Sequence, residues 1–379
     1  MTKHKITNNF VCSILYLGIN LLFILKYVPR VGNPVFACCA YAVIVALVLL
    51  IYNKIYKSDN RFTKISFWFL LGITLTGMFA LQHFINPLSL QVDRWSAIHG
   101  FFNELFSGNY PYLARTHLGG YGSPFPVWQF FHLPFYLMGN ISLAAVFSVI
   151  VLLTTVYIYT LSSRKTLFFL VLLFISPAFW YEITVRSDLM YNFFILLAVL
   201  LFLLKKQTNF AKHPYLSGIL CGLFLSTRFT VIIPFIVLLF ADFWQSSLKT
   251  KIIFALTTVF VFAFTFSPFI FWNFNSLMFF QYNPFILQTR QGSVFEVLII
   301  FALSIFLSFR AGKNHDKFFC YSAYLLIALV VTTFLHNMIL NGFQYGLFSP
   351  AYDITYFNMA LPFIILVQSL KFVKSGVEP

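Results

Sequence analysis

The chain has 379 residues, 60% of them apolar and only 9% charged. Ordinary soluble domains carry roughly 25% charged residues, so a soluble fold is excluded and lipid must be the solvent. The net charge of +15 would suggest nucleic acid in a soluble protein. Here it reads as a topology signal in loops, and no basic run interleaved with aromatics is long enough for a nucleic-acid groove.

A membrane helix needs about 20 apolar residues to cross a hydrocarbon core of about 30 Å. On that measure the sequence predicts about twelve spans in an all-α polytopic membrane protein. The first two, 10–28 and 35–53, form an N-terminal pair. MTKHKITNN ahead of the first run resembles a signal peptide, but no clear cleavage site follows, so the run is expected to be retained. A basic loop from Lys54 to Lys64 leads to the third span, 65–85.

Next comes the one long polar stretch, 91–139, with Asp93, Arg94, His99, Glu104, Arg115, His117 and His132. A loop this long is functional or disordered, and its aromatic content argues against disorder. Trp95, Ile98, Phe102 and Leu105 recur at helical spacing, predicting a helix over 93–106 lying in the interface plane. Segment 126–138 is apolar but short and contains Pro134, which predicts an interfacial or re-entrant half-helix. Gly119, Gly120 and Gly122 read as a turn.

Nine more spans follow at 141–161, 166–181, 190–204, 214–227, 229–243, 251–271, 294–309, 318–338 and 355–371. A second outer loop occupies 272–293. No internal repeat and no soluble domain is seen, so 1–379 reads as one transmembrane domain. Its parts are the extra pair (10–64), a core (65–270) holding the loop 87–140, and C-terminal helices (271–379).

Charge orients this chain. With the N-terminus in the cytoplasm, alternation leaves Lys26, Arg30, Arg94, Arg115, Arg186, Arg228 and Arg290 outside. The rest of the 25 Lys and Arg, from Lys3 and Lys5 to Lys374, fall inside, as the positive-inside rule requires. Both termini are then cytoplasmic and the long loop is extracytoplasmic. Asp93, Glu104, Glu182, Asp188, Glu296 and Asp353 also fall outside. The absence of a large soluble domain makes a bacterial inner membrane the easiest home.

Ionisable groups near a bilayer are functional candidates. Asp93 reads as a general base taking a proton from an acceptor hydroxyl, or as a solvated loop carboxylate or a partner of Arg94. Asp188 reads as a second active-site carboxylate, a metal ligand, an ion-pair partner or a helix N-cap. Arg228 interrupts two apolar stretches. Its guanidinium suits a phosphate, or the side chain snorkels to the interface. Arg186 and Arg290 are weaker versions of the same idea. His99, His117 and His132 are too widely spread for a metal site and read as packing or loop hydrogen bonding. Cys12, Cys38, Cys39, Cys221 and Cys320 lack metal-ligand spacing and read as small core residues. No phosphate-binding glycine loop, HExxH or serine-triad pattern occurs.

Three local features make residues 85–270 resemble the GT-C class of integral-membrane glycosyltransferases. They are Asp93 soon after an outward span, with GNYPY (108–112) and SPFP (123–126) downstream; VRSDLMYNFF (185–194); and SGILCGLFLSTRFTVIIP (217–234). The resemblance implies a GT-C-like bundle with mannosyltransferase-like chemistry. The donor would be a polyprenyl-phosphate-linked sugar and the acceptor a glycan, lipid or protein, met at the extracytoplasmic face. It implies Asp93 as base, Asp188 as the second acid, and Arg228 with Arg186 at the donor phosphate. Arg94, His99, Glu104, Tyr112 and Glu182 are expected as acceptor or loop contacts. A Mg or Mn ion occurs in some members, but DRW here replaces their paired acids and two spans precede the expected first one.

Two other readings stay open. A polysaccharide polymerase or ligase of lipid-linked glycans would lean on Arg186 and Arg290 more than on Asp93. A flippase or transporter would favour internal repeats and mid-membrane broken helices.

Overall fold

The computed structural model describes residues 2–207, 210, 212–279, 281–290, 292–349 and 352–373. Lys374 and the side chains of Lys3 and Lys5, counted above among the inward cations, lie outside that description. Among the described residues there is no β-strand, only an isolated bridge between Arg115 and Tyr121.

The helices run in chain order α1 (Thr2–Tyr27), α2 (Pro34–Ile55), α3 (Arg61–Phe84), α4 (Arg94–Phe106), α5 (Pro126–Phe131) and α6 (Leu133–Leu137). Then come α7 (Leu143–Thr160), α8 (Ser163–Phe174), α9 (Pro177–Thr184), α10 (Leu189–Lys205), α11 (Pro214–Leu225) and α12 (Ile232–Gln245). The last are α13 (Leu248–Met278), α14 (Pro284–Thr289), α15 (Val294–Ala311), α16 (His315–Asn341), α17 (Phe343–Phe348) and α18 (Leu361–Phe372), the latter preceded by a 3-10 turn, Ile354–Met359.

Their starts are written locally. Asn33 accepts from Val35 N and Phe36 N ahead of Pro34, and Asn60 accepts from Thr63 N. Each satisfies donors that a helix N-terminus leaves open. Ser293 and Glu296 form a reciprocal capping box that opens α15.

All twelve predicted stretches are helical. Among the described residues, eight helices are long and apolar enough to cross a bilayer: α1, α2, α3, α7, α13, α15, α16, and α18 together with its 3-10 turn. The pair α8 and α9 makes a ninth if its 66° bend is counted inside one span. That bend has a local cause. Pro177 lacks an N–H and disfavours helix at the residue before it, and Ser176 there caps the new helix through Phe179 N. Helices α10, α11 and α12 are apolar but only 17, 12 and 14 residues long; α10 sits at the lower limit of about 17 residues for a crossing, and α11 and α12 fall below it. The chain is a multi-pass helical membrane protein, with eight or nine spans by length.

Segment 126–138 is two short helices broken at His132, with Pro134 inside the first turn of α6. The loop expected at 272–293 is partly helical. Helix α13 runs on to Met278 through a non-helical residue at Asn273, and α14 follows.

Helices α10 and α18 are apolar all round and sit at the centre, as such helices must; Phe193, Leu196, Ile364 and Ile365 have no exposure. Helix α1 belongs to this core. Tyr16 donates to Leu172 O at 2.6 Å, and Asn20 Oδ1 accepts from Ser176 Oγ at 2.6 Å and Ala178 N at 3.1 Å, tying α1 to the α8–α9 break. The outer faces of α3, α13 and α15 present Trp68, Phe69, Phe264 and Phe295 to the surroundings, a surface suited to lipid tails. Cys12, Cys221 and Cys320 are buried as expected, whereas Cys39 is exposed on α2.

Helices α11 and α13 approach very closely. Gly218 and Gly222 on α11 leave no room for a methyl: a Cβ at Gly222 would lie 2.7 Å from Thr258 O, and one at Gly218 2.8 Å from Thr257 Cβ. This is the small-xxx-small logic of membrane helix pairs. The contact sets the position of the α11–α12 turn, which carries Arg228.

Candidate functional site

The long loop is held on the bundle by a second aromatic cluster. Phe101 and Phe102 of α4, Tyr112 and Phe125 of the loop, and Phe266 and Phe269 of α13 are all buried together. Helix α4 turns Ile98, Phe101 and Phe102 inward and His99 and Asn103 outward. This anchoring brings Arg94, in the first turn of α4, against the ends of three other elements.

There four charges, with Asp188 and Arg228 buried and Arg94 and Asp353 partly so, form an alternating row. Arg94 Nη2 donates to Asp353 Oδ2 at 2.7 Å and to Thr355 Oγ1 at 3.2 Å. Its Nη1 lies 3.7 Å from Asp188 Oδ1. The other oxygen, Asp188 Oδ2, accepts from Arg228 Nη2 and from Trp128 Nε1, the latter at 2.6 Å. The row Asp353, Arg94, Asp188, Arg228 therefore sums to zero charge, which is how charges survive burial. Its members come from the loop before the 3-10 turn, from α4, from the start of α10, and from the α11–α12 turn. Glu182 on α9 adjoins the row and accepts from Asn358 Nδ2 at 2.9 Å.

Burial raises the pKa of a carboxyl, but the guanidinium groups of Arg228 and Arg94 outweigh it at Asp188 and hold its pKa at about 2. Asp188 is thus a fixed anion that orients two guanidiniums. It stands at the N-cap of α10 but makes no capping bond; the ion-pair reading is the one its oxygens follow. Arg228 does not snorkel. It is buried and paired with Asp188, because the tight α11–α13 contact holds its turn inside the bundle.

Asp93 stands beside the row and outside it. Its Oδ2 accepts from Thr116 Oγ1 at 2.7 Å. Thr116 begins the turn closed by Thr116 N to Gly120 O at 2.8 Å, with Gly119 at φ +82°. Asp93 is partly exposed, and its neighbour Arg94 pairs with Asp353 instead. A carboxylate that is positioned by a hydroxyl and open to solvent has the geometry a general base needs.

The other expected contacts scatter. Arg186 has φ +54° and donates through Nη2 to Gln82 O at 2.6 Å and Ile85 O at 3.2 Å. It caps the last carbonyls of α3, where a cation is favoured, and it does not join the row. Tyr112 is buried in the aromatic cluster. Glu104 accepts from Asn109 Nδ2 at 2.8 Å on the surface of α4. His99 is exposed beside Tyr136, and Arg290 is exposed at the end of α14.

The sequence reading did not single out Asp353, Trp128, Tyr191 or His132 as site residues. His132 Nδ1 lies 2.7 Å from Trp128 O, which can only accept, so Nδ1 carries the proton and Nε2 accepts from Tyr191 O–H at 2.7 Å. Burial pushes this imidazole down to about 4. His132 thereby fixes the carbonyl end of Trp128, whose indole holds Asp188. The signal for Asp353 was available: like Asp188, it is an acid just ahead of an apolar run.

Two spaces flank the row. On one side is an apolar cavity of about 400 Å³ walled by α12, α15, α16 and the 3-10 turn, with Phe229, Ile233, Ile300, Tyr352 and Tyr356 in its lining. Its lining neighbours the charges: Phe229 follows Arg228 in sequence, and the Arg94 guanidinium lies 5.3 Å from the Tyr356 ring centre. On the other side, Trp95, Glu182, Arg186, Ser187 and Tyr191 line a narrow void of about 10 Å³, room for a single water. Trp95 Nε1, Glu182 Oε2, Ser187 Oγ and both amide ends of Gln129 and Asn192 are buried without a hydrogen-bond partner. Buried polar atoms left so are rare; their concentration near the row marks where polar groups of a ligand or water belong.

Among the described residues no three His, Cys, Asp or Glu side chains gather at ligating distance. The two acids of the row already face guanidinium groups, so this donor set does not fit a divalent cation. Comparison with protein-family models, with curated proteins and with solved structures finds no match to this chain.

Proposed function

We propose that the chain is an inverting membrane glycosyltransferase of the GT-C kind, moving a sugar from a polyprenyl-phosphate donor to a glycan, lipid or protein acceptor. The observation that carries this reading is the apolar cavity ending on the arginine-containing row. A ligand fitting both parts has a lipid tail and an anionic head. The tail would occupy the space between α12, α15 and α16, and the phosphate would approach Arg228 and Arg94.

In this reading Asp93 takes the proton of the acceptor hydroxyl. The freed oxygen bonds to the anomeric carbon as the bond from that carbon to the phosphate oxygen breaks, inverting the centre. The departing polyprenyl phosphate carries away the electron pair, and guanidinium groups in a water-poor site stabilise it. Asp188 holds those groups in place. The positive-inside pattern supports an extracytoplasmic site with both termini in the cytoplasm, and the bacterial inner membrane remains the proposed home.

The test is transfer from a polyprenyl-phosphate sugar by purified protein and its Asp93→Asn variant. Loss of transfer in a folded variant supports the assignment; full activity sinks it. The polymerase or ligase reading, which leans on Arg186 and Arg290, finds Arg186 on the carbonyls of α3 and Arg290 exposed; it would have to use Arg94 and Arg228 of the row, beside which Asp93 stands. Asp93→Asn with activity intact and Arg228→Lys without it would favour that reading.

A further inference from the structure

A second cavity, of about 360 Å³, lies at the other end of the bundle between α3, α7 and α8. Helices α3 and α7 form two of its walls. Near the charged row they are tied, Gln82 Nε2 of α3 donating to Ser142 O just before α7 at 3.2 Å. Towards the start of α3 both pack on α8, and a groove opens between them. Leu71 and Leu153 in its lining are buried, and Lys64 and Tyr157 line it nearer the start of α3 and the end of α7. From Lys64 to Leu71, and from Ile150 to Tyr157, is about 10 Å at 1.5 Å rise per residue, a good part of one leaflet of a 30 Å core. Trp68, Tyr157 and Ile150 are exposed, so the groove opens sideways to lipid.

The Lys64 end is basic. Arg61 lies one turn before Lys64 on α3, Lys165 sits between Ser163 and Thr166 on α8, and Lys57 precedes them. None of Lys57, Arg61, Lys64 and Lys165 takes part in an ion pair among the described residues. The neighbouring acid, Asp59, is committed: it accepts from Ser162 Oγ at 2.8 Å and Arg164 N at 2.7 Å, closing the start of α8.

We infer that this groove is a binding site for an anionic glycerophospholipid of the surrounding bilayer. One acyl chain lies along Leu71 and Leu153, and the headgroup phosphate sits among Lys64, Arg61 and Lys165. The warrant is the pairing of an apolar slot of acyl-chain dimensions with cations at the depth of the headgroups. The site is independent of the charged row and of the activity proposed for it.

Trp68, in the lining, is the reporter. Protein is reconstituted into phosphatidylcholine bilayers containing a minor fraction of brominated lipid, either phosphatidylglycerol or phosphatidylcholine. Quenching of Trp68 is the difference between wild type and Trp68→Phe. The brominated anionic lipid is expected to reach half-quenching at a fraction at least about fivefold lower, the factor for about 1 kcal/mol from a single lysine. In Lys64→Ala/Lys165→Ala the advantage disappears, while fully brominated bilayers still quench. Equal quenching by the two lipids in wild type overturns the inference. So does the absence of Trp68 quenching in fully brominated bilayers, which would mean that protein covers the groove.

Discussion

Arg228 and Asp188, 40 residues apart in sequence, are hydrogen-bonded to each other out of reach of solvent. The pair joins the start of α10 to the α11–α12 turn and fixes the face of the site that the proposed phosphate would meet. Removing one member strands a buried charge, at a cost of about 3–5 kcal/mol. Arg228→Met should therefore lower the melting temperature in detergent sharply. Arg228→Met combined with Asp188→Leu should be less destabilised than the sum of the two single changes. Additive losses would show that the pair is not coupled.

Two groups in or beside the row should each cost stability in acid. The folded state holds His132 at about 4 against an ordinary 6.5, through burial. A lowered folded value means stability fully present above pH 6.5 and lost as the pH falls towards 4, by on the order of 3 kcal/mol. Asp188, held at about 2 against 3.8, adds a further loss between about pH 4 and 2. Between pH 6.5 and 4, His132→Gln should lose less melting temperature than the wild type, and the difference between the two curves isolates the imidazole.

Gly222→Ala should act at a distance. The added methyl meets Thr258 O and Val261 on α13, forcing the helices apart. The hydroxyl contact between Ser226 and Thr265, at 2.7 Å, ties the same two elements just before Arg228. Destabilisation of about 1–3 kcal/mol is expected from such overpacking, together with reduced activity. Gly108→Ala, at a loop position with open space but φ +76°, should cost only its backbone strain and leave α13 untouched. Melting curves separate the two.

Filling the apolar cavity tests the lipid half of the proposal. Ile300→Trp projects into the space walled by Phe229 and Tyr356. The KM for a lipid-linked donor should rise roughly tenfold with little change in kcat, the signature of lost uniform binding. A donor with a shortened tail should show a smaller effect. An unchanged KM would place the tail elsewhere.

Much of this architecture was legible because each part is governed by local rules. Apolar run length located all twelve helical stretches, and the spacing of Trp95, Ile98, Phe102 and Leu105 located α4. Pro134 and the shortness of 126–138 indicated that this segment does not span. Run length could not show that α8 and α9 bend at Ser176–Pro177, whereas the shortness of α10 to α12 was already visible in the runs 190–204, 214–227 and 229–243. The site was readable only in part. Asp188 and Arg228 stood out as charges at helix ends, but their partnership depends on how α11 packs on α13, which no local pattern records. Arg186 looked like Arg228 in sequence and serves a different end, because its positive φ turns it back onto the carbonyls of α3. Asp353 was passed over because it lies 259 residues from Arg94, and only the folded chain brings the two together.

Lys26, near the end of α1, donates to Tyr352 O at 2.9 Å and to Ser349 O at 3.1 Å, next to Asp353. The two ends of this tether are separated by 326 residues. At about 5–20 residues per second of synthesis, the lysine waits on the order of tens of seconds for the carbonyls that will hold it. During that time the charged row has no Asp353, and Arg94 has no carboxylate of its own. The site is therefore a product of the finished chain and is not inherited from any early folding unit. A ribosome stalled inside α16 would leave a membrane-inserted protein with most of its spans and an incomplete charged row.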